Sequence, residues 1–453
     1  MLDNLVNLST HERLVEVNKA LSSGMFVHVR RMLQQLPPED IALLLESCPH
    51  AERKNIWQLT DSEQQGEILE ELNEDARDSI LALMDTENLV AATEGMDTDD
   101  LAYVLSGLND SAYQDVLSQM DAQDRHRLEQ ALGYPEDTAG SVMNTDTITL
   151  RPDVTIDVVL RYLRLKGELP EATDALYVVN KHDKLIGEVA LATLLTVDPA
   201  STVMDVMDNS RKSIPVAMAE IEVAKIFERR DLISAPVVDQ DDRLLGRITI
   251  DDVVDIIRED ADHKMMGMAG MDDDEDTFAP ILKSTKRRTI WLTVNLGAAL
   301  LASSVSNMFE ATLSEIATLA VLMTIVPSMG GIAGNQTLAL VIRGMAVGHI
   351  GDSNARTLIM KEAAIGLLNG LIWALLVAVA VVIWKGDVNI GYVIAGAMFI
   401  NLSVAGLAGV CIPLIMNKLK IDPALAGGMA LTTVTDVVGL FSFLGMATIF
   451  LRA

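Results

Sequence analysis

The rhythm of hydrophobic and polar positions changes twice along the chain. Through about residue 133, apolar residues recur at helical spacing in short runs, each opened by acidic or capping residues. Leu36-Pro-Pro-Glu-Asp-Ile-Ala-Leu-Leu-Leu and Met96-Asp-Thr-Asp-Asp-Leu-Ala-Tyr-Val-Leu are two instances of one pattern. A short amphipathic helix cannot bury its apolar face alone, so repeated ones predict a stacked α-solenoid. Over 138–260, short β-branched strands alternate with helical stretches. From Ser284 to the C-terminus the chain is mostly apolar. It holds five stretches, at about 289–309, 316–342, 362–384, 388–416 and 424–451, each near the roughly 20 residues that carry a helix across a bilayer. The expected fold is multidomain: an all-α superhelical N-domain (1–133), an α/β domain (138–260), a linker or plug helix (261–283), and an all-α transmembrane bundle of five helices (284–453).

The middle segment repeats internally. Ser141-Val-Met returns as Asp205-Val-Met, Leu176-Tyr-Val-Val-Asn as Ala235-Pro-Val-Val-Asp, and Asp183-Lys-Leu-Ile-Gly as Asp242-Arg-Leu-Leu-Gly. Asp241-Asp-Arg before Leu244-Leu-Gly reads as a hairpin turn. The two copies, about 138–200 and 201–260, resemble a tandem pair of CBS domains, βαβ modules that commonly sense ligands. Thr249-Ile-Asp-Asp matches the Thr/Ser-x-x-Asp pattern of nucleotide-binding CBS pairs. That resemblance implies Thr249 and Asp252 as contacts for a ribose, with ATP as the nucleotide. The first copy has Ala190-Leu-Ala-Thr at this place and lacks the Asp.

Charge changes the picture. The chain is 50% hydrophobic yet carries a net charge of −29. From Ser284 onward there are ten Lys and Arg against seven Asp and Glu, so that part is +3 and the remainder −32. Such an acidic N-terminal part argues against nucleic acid or anionic lipid as its partner and favours cations. The charge runs, including Asp272-Asp-Asp-Glu-Asp in the linker, read as solvated surface or, in the linker, as part of a gating element. Cys48 and Cys411 lie in different segments and imply neither a disulfide framework nor a thiolate metal site. Residues 1–20 predict no cleaved signal peptide. Lys283, Lys286, Arg287, Arg288, Arg343, Arg356, Lys361, Lys418 and Lys420 fall on the side of the bilayer shared with the N-terminal domains, and Lys385 and Arg452 on the other. This bias predicts a cytoplasmic N-terminal part and an external C-terminus. Five spans give a lone subunit no obvious inverted pair, whereas a symmetric dimer supplies ten helices and a two-fold axis.

Two constellations carry candidate chemistry. Asp436, in Thr432-Thr-Val-Thr-Asp-Val-Val-Gly439, is expected to be the one carboxylate deep in these spans. A carboxylate at that depth costs on the order of 3 kcal/mol unless it faces water, a cation or a partner. Pro327-Ser-Met-Gly-Gly-Ile-Ala-Gly-Asn-Gln is expected to break or thin a helix in mid-membrane, which requires that backbone to line a cavity or pack on protein. Close helix packing is the competing reading of Gly330, Gly331 and Gly334. Freed carbonyls and the Asn335 oxygen are hard donors suited to Mg²⁺, which sheds its water reluctantly. A pore for a hydrated ion needs few carboxylates and many water-bonding oxygens, and Asp436, Thr432 and Asn335 fit that need. No repeated carbonyl ring of the K⁺-filter kind is present.

The helical N-domain, CBS pair, acidic linker and five-span domain together resemble the MgtE-type Mg²⁺ channels along essentially the whole chain. Gly330-Gly-Ile-Ala-Gly-Asn-Gln and Thr432-Thr-Val-Thr-Asp resemble that family's most specific motifs. The resemblance implies a homodimer of the inner (plasma) membrane, with Asp436 as central ion site, Asn335 beside it, and Thr432, Gly331, Gly334 and Gly439 around the ion path. It also implies a sensor that binds Mg²⁺ between N-domain and CBS faces and closes the pore. Asp231, Asp252, Asp255 and Asp422 fall where the family places sensor or pore-mouth carboxylates, with Asp99 and Asp100 a looser match. His263 and Lys264 stand in the linker where acidic residues are expected. A coupled carrier of Mg²⁺ or Co²⁺ is the alternative transport reading, and a membrane-anchored metal receptor the non-transport one. No phosphate loop, His cluster or nucleophile elbow points to an enzyme.

Overall fold

The computed structural model describes residues 10–451 except 94–95, 97, 109, 121–124, 126–127, 129–131, 168, 171, 211–212, 272–276 and 352. The chain forms two compact units. The first comprises 1–260 with 274–280, and the second 261–273 with 281–453.

Among the described residues the first unit begins with short helices: α1 (Thr10–Ser22), α2 (Phe26–Leu33), α3 (Pro38–Glu46), α4 (His50–Trp57), α5 (Gln65–Glu71), α6 (Glu74–Leu81), α7 (Thr86–Thr93), α8 (Thr98–Ser106) and α9 (Asp110–Gln119). Local chemistry sets their starts. Pro38 opens α3 with Glu39 and Asp40 in its first turn, where proline loses no hydrogen bond and acid meets the positive end of the helix dipole. The Asn73 side chain accepts from the Ala76 amide at 2.9 Å and so caps α6. Each helix packs on others one to three places along the chain. Together they bury one continuous core that includes Val29, Leu45, Ile56, Ile68, Ile80 and Val104.

The α/β part follows as two copies. In the first, β1 (Thr149–Leu150), α10 (Ile156–Lys166), β2 (Ala175–Val179), β3 (Leu185–Ala190), α11 (Leu191–Thr196) and α12 (Val203–Val206) build a sheet of order β1-β2-β3. The second has β4 (Ile214–Pro215), α13 (Glu220–Arg230), β5 (Ser234–Val238), β6 (Leu244–Thr249) and α14 (Ile250–Met268), with sheet order β4-β5-β6. In each copy the outer strand pairs in parallel and the hairpin antiparallel. Asp183 and Asp242 hold the hairpin turns with φ of 58° and 62°, a conformation that Asp tolerates better than most residues. The two turns bond each other: the Leu185 amide donates to Asp242 O and the Leu244 amide to Asp183 O.

The second unit is helical. After the end of α14 come α15 (Ile281–Met308), α16 (Glu310–Glu315), α17 (Ala317–Leu322), α18 (Ile325–Ala346), α19 (Ala355–Lys385), α20 (Val388–Lys418) and α21 (Pro423–Leu451). Five segments are long and apolar enough to cross a bilayer, with α17 and α18 counted as one. Helix α20 is central, packed by α18, α19 and α21, while α15 lies mainly against α21.

Three expectations need correction here. The second apolar stretch is broken, but at Ile316 and Met323–Thr324, upstream of the glycines. Gly330, Gly331 and Gly334 lie inside the regular helix α18. Pro327 is only its third residue, where a missing N–H costs no intrahelical bond. The third helix starts at Ala355 instead of 362, because its polar first turns continue the helix outside the apolar run. Glu362 therefore lies two turns inside it and is 3% exposed, so the bundle shields a second carboxylate besides the half-buried Asp436. Finally, the first part of the linker forms no separate helix. It is the C-terminal extension of α14, which runs unbroken to Met268. The acidic run 272–276, Arg452 and the side chain of Asp99 lie outside the described residues.

Candidate ion path and cation-sensing residues

Helices α18 and α21 run antiparallel along a seam of small residues. A Cβ on Gly439 would stand 3.1 Å from the Pro327 Cα. Further along, Gly331 faces Thr435 and Thr432, where its Cβ would lie 3.8 and 3.9 Å from their side chains. A Cβ on Gly334 would approach Leu431 to 2.9 Å, and Asn335 Oδ1 lies 3.9 Å from the place of a Gly428 Cβ. The packing reading therefore accounts for Gly334 and Gly439, and Gly331 leaves room beside the threonines. Asn335 lies level with Gly428, eight residues before Asp436 on α21, or about 12 Å along the helix axis. The seam thus carries its polar oxygens at two depths.

The threonines add to this. Thr432 Oγ1 donates to Gly428 O at 2.9 Å, Thr433 Oγ1 to Met429 O at 2.8 Å, and Thr435 Oγ1 to Thr432 O at 3.0 Å. Each hydroxyl proton is spent on its own helix, which leaves the oxygen lone pairs to accept from water or meet a cation. Asp436 is half-buried, and among the described residues no basic side chain pairs with it.

Sequence reasoning missed Glu362. Its Oε2 accepts from Thr337 Oγ1 at 3.3 Å, and its Oε1 has no hydrogen-bond partner among the described residues but lies 3.5 Å from Lys361 Nζ. A helix boundary drawn by apolarity alone put this residue at the membrane edge.

At the start of α21, Asp422 works twice. Its Oδ1 accepts from the Ala424 amide at 2.8 Å and caps the helix. Its Oδ2 lies 2.6 Å from His263 Nε2 on the end of α14. One turn further along α14, a Cβ on Gly267 would stand 3.2 Å from Leu425. His263, read in sequence as a departure from an acidic pattern, is thus the direct partner of Asp422.

Carboxylates crowd the first unit. Asp252 Oδ2 accepts from the Thr249 amide at 3.2 Å and Thr249 Oγ1 at 2.9 Å, so the Thr-x-x-Asp pattern caps α14. Burial, and then neighbouring Asp251, push Asp252 up to about 6. Asp255 pairs with Arg258 at 3.1 Å. Glu71, at the end of α5, is held above the usual carboxylate range by burial and by Asp255 and Glu39. Asp231 closes α13 in the left-handed conformation and is exposed, and Asp100 is half-buried on α8. Another raised carboxyl is one that sequence reasoning did not name. Glu220, at the start of α13, is pushed up to about 7 by burial and then by Asp137, Glu259 and Asp260. Asp137, Glu220 and the adjacent pair Glu259 and Asp260 are far apart in sequence, so no local pattern could have announced their meeting. Among the described residues no three acidic, His or Cys side chains converge into a closed metal cage.

Known proteins match this arrangement segment by segment. Residues 323–446 match the family described as a divalent cation transporter, MgtE. Residues 36–137 match the MgtE intracellular N domain, and 139–200 and 193–259 match the CBS domain. The magnesium transporter MgtE of Bacillus subtilis (strain 168) is 29% identical over 449 residues, 99% of both chains. That of Enterococcus faecalis (strain ATCC 700802 / V583) is 31% identical over 331 residues, 73% of both. A crystal structure of the cytosolic domain of the Mg²⁺ channel MgtE in complex with ATP is similar over 54% of this chain and 99% of that one, at 28% identity and a TM-score of 0.50. With a helical N-domain, a CBS pair and a five-span polar-seamed bundle all matched, the chain belongs to the MgtE family of divalent cation transporters.

Proposed function

We propose that this multi-pass membrane protein passes Mg²⁺ through the inner (plasma) membrane as a homodimeric channel, and that cytoplasmic Mg²⁺ closes it. The observation that carries the reading is Asp436: a half-buried carboxylate within a membrane helix, with no basic partner among the described residues and threonine oxygens on the same helix. Such a group needs water or a cation. Two copies about a two-fold axis would face their Asp436 side chains across one path, and Thr432 and Asn335 would bond the ion's water shell. Gly331, beside Thr432, would keep that path open. The basic residues at Lys286, Arg287, Arg288, Arg343 and Arg356 support a cytoplasmic sensor and an external C-terminus.

Closure follows from charge. Glu71 of the N-domain meets Asp255 of the CBS pair, which neighbours Asp252, and Glu220 meets Asp137, Glu259 and Asp260. Divalent ions between such groups remove the repulsion and favour the compact state. The same helix α14 that carries Asp252 and Asp255 ends at the His263–Asp422 contact. Asp99, Asp100 and Asp231 complete the proposed sensor. ATP fits less well: Thr249 and Asp252 could hold a ribose, but the acidic surroundings oppose a triphosphate.

A coupled carrier is the second reading, favoured by Glu362, a second buried carboxylate of the kind that coupling ions or protons use. Mg²⁺ uptake in cells lacking other importers tests the main reading. Asp436→Ala should cut uptake or Mg²⁺ selectivity roughly a hundredfold, the weight of one deep charge. Wild-type uptake and selectivity in that variant would overturn it. Single-ion currents support the channel, and saturable gradient-driven uptake without them supports the carrier.

A further inference from the structure

Asn401 lies near the middle of α20 and is fully buried. Its Nδ2 donates to Val326 O at 2.7 Å, in the first turn of α18 just after the Met323–Thr324 break. Its Oδ1 is buried without a hydrogen-bond partner among the described residues. Two glycines from two other helices close on the same amide. A Cβ on Gly330 would lie 2.2 Å from Nδ2, and one on Gly439 would lie 2.9 Å from it. Thus α18, α20 and α21 meet on one polar side chain, and the two glycines belong to the two motifs that carry Asn335 and Asp436.

A primary amide in an apolar core is retained only where its hydrogen bonds matter, and an orphaned oxygen there needs a reason. Packing alone would be served by a leucine of similar size. The amide does what leucine cannot: it grips a backbone carbonyl at the broken end of α18, while Gly439 rests against its nitrogen. Gly439 is three residues after Asp436, one turn along a continuous helix. A shift at Gly439 therefore moves the Asp436 carboxylate with it.

We propose that Asn401 is a positioning residue for the ion path: its amide ties the first turn of α18 to the Gly439 turn of α21 and so fixes where Asp436 stands. This rests on the reading of Asp436 as the ion site. The role is one of selectivity. A displaced carboxylate still attracts cations, but it no longer matches the size of hydrated Mg²⁺.

The test uses full-length protein in liposomes, with Mg²⁺ and Ca²⁺ fluxes measured in parallel. Asn401→Leu should keep the wild-type elution profile and Mg²⁺ flux, yet lower the Mg²⁺-to-Ca²⁺ flux ratio about threefold to twentyfold, the loss of one interhelical hydrogen bond in a membrane. Adding Asn401→Leu to Asp436→Asn should change the ratio no further, since both act through one carboxylate. Should the Leu variant fail to insert, Asn401→Ser decides in its place, since its shorter side chain gives up the bond to Val326 O without adding bulk, with the same loss of ratio expected. A wild-type ratio in the deciding variant, or full additivity with Asp436→Asn, overturns the inference. Absence of Mg²⁺ flux in the wild type would instead overturn the transport reading itself.

Discussion

A carboxyl group out of water must find a donor, a cation or a proton, and this chain holds several such groups in different circumstances. Asp436 has threonine oxygens near it on its own helix, which suits it to a hydrated ion. Glu362 has one threonine donor and a lysine at its edge. Glu220 is the group whose titration can be followed in solution. Its carboxyl, near 4.5 when unfolded, stands at about 7 in the fold. The folded state therefore holds a proton that the unfolded state has already released between these values, and stability falls as pH rises through that window. Glu220→Gln removes the loss. The thermal midpoint of the variant should match wild type near pH 4.5 and exceed it increasingly up to pH 8, as measured by scanning calorimetry in low Mg²⁺. A constant gap at all pH values would refute the raised titration of Glu220 in the fold.

Among the elements, α14 and α18 repay most attention. Helix α14 joins a CBS fold to the membrane bundle without interruption, and its end is held by His263–Asp422 and the close approach of Gly267 to Leu425. If that end transmits closure, His263→Ala should raise the Mg²⁺ needed for half-closure about threefold to tenfold, the net worth of one ordinary hydrogen bond. Hydrogen exchange over 261–271 should quicken in parallel, and unchanged exchange would place the hold elsewhere. Much of the element list was legible in sequence. The CBS repeat announced both sheets and their hairpins, because turn chemistry is local. The five spans were visible as apolar runs, but their ends were not. Polar first turns extend α15 and α19 beyond the apolar stretch, and that hid Glu362. The break before α18 was expected at its glycines, yet those glycines serve close packing. Asn401 could not be singled out, since its meaning lies in three helices meeting.

For the whole molecule, the −32 imbalance of residues 1–283 was the most informative sequence quantity, because it favours cations as partners of that part. The particular clusters were not legible, as Glu71 with Asp255 and Asp137 with Glu220 are joined only by folding. If these clusters sense the transported ion, Asp252→Asn with Asp255→Asn should move closure to roughly tenfold higher Mg²⁺. It should also make limited proteolysis between residues 261 and 283 less dependent on Mg²⁺. Deleting 1–133 should act in the same direction, and unchanged closure in both would remove the sensor from the account.

The central claim is that one ion is both cargo and signal. Purified full-length protein in liposomes, with inward Mg²⁺ flux followed while Mg²⁺ on the sensor side is raised stepwise, tests it most directly. The account predicts substantial flux when that side is low in Mg²⁺ and a steep fall as it rises, even with the driving gradient held constant. Flux that follows the gradient alone, with no dependence on sensor-side Mg²⁺, would contradict it.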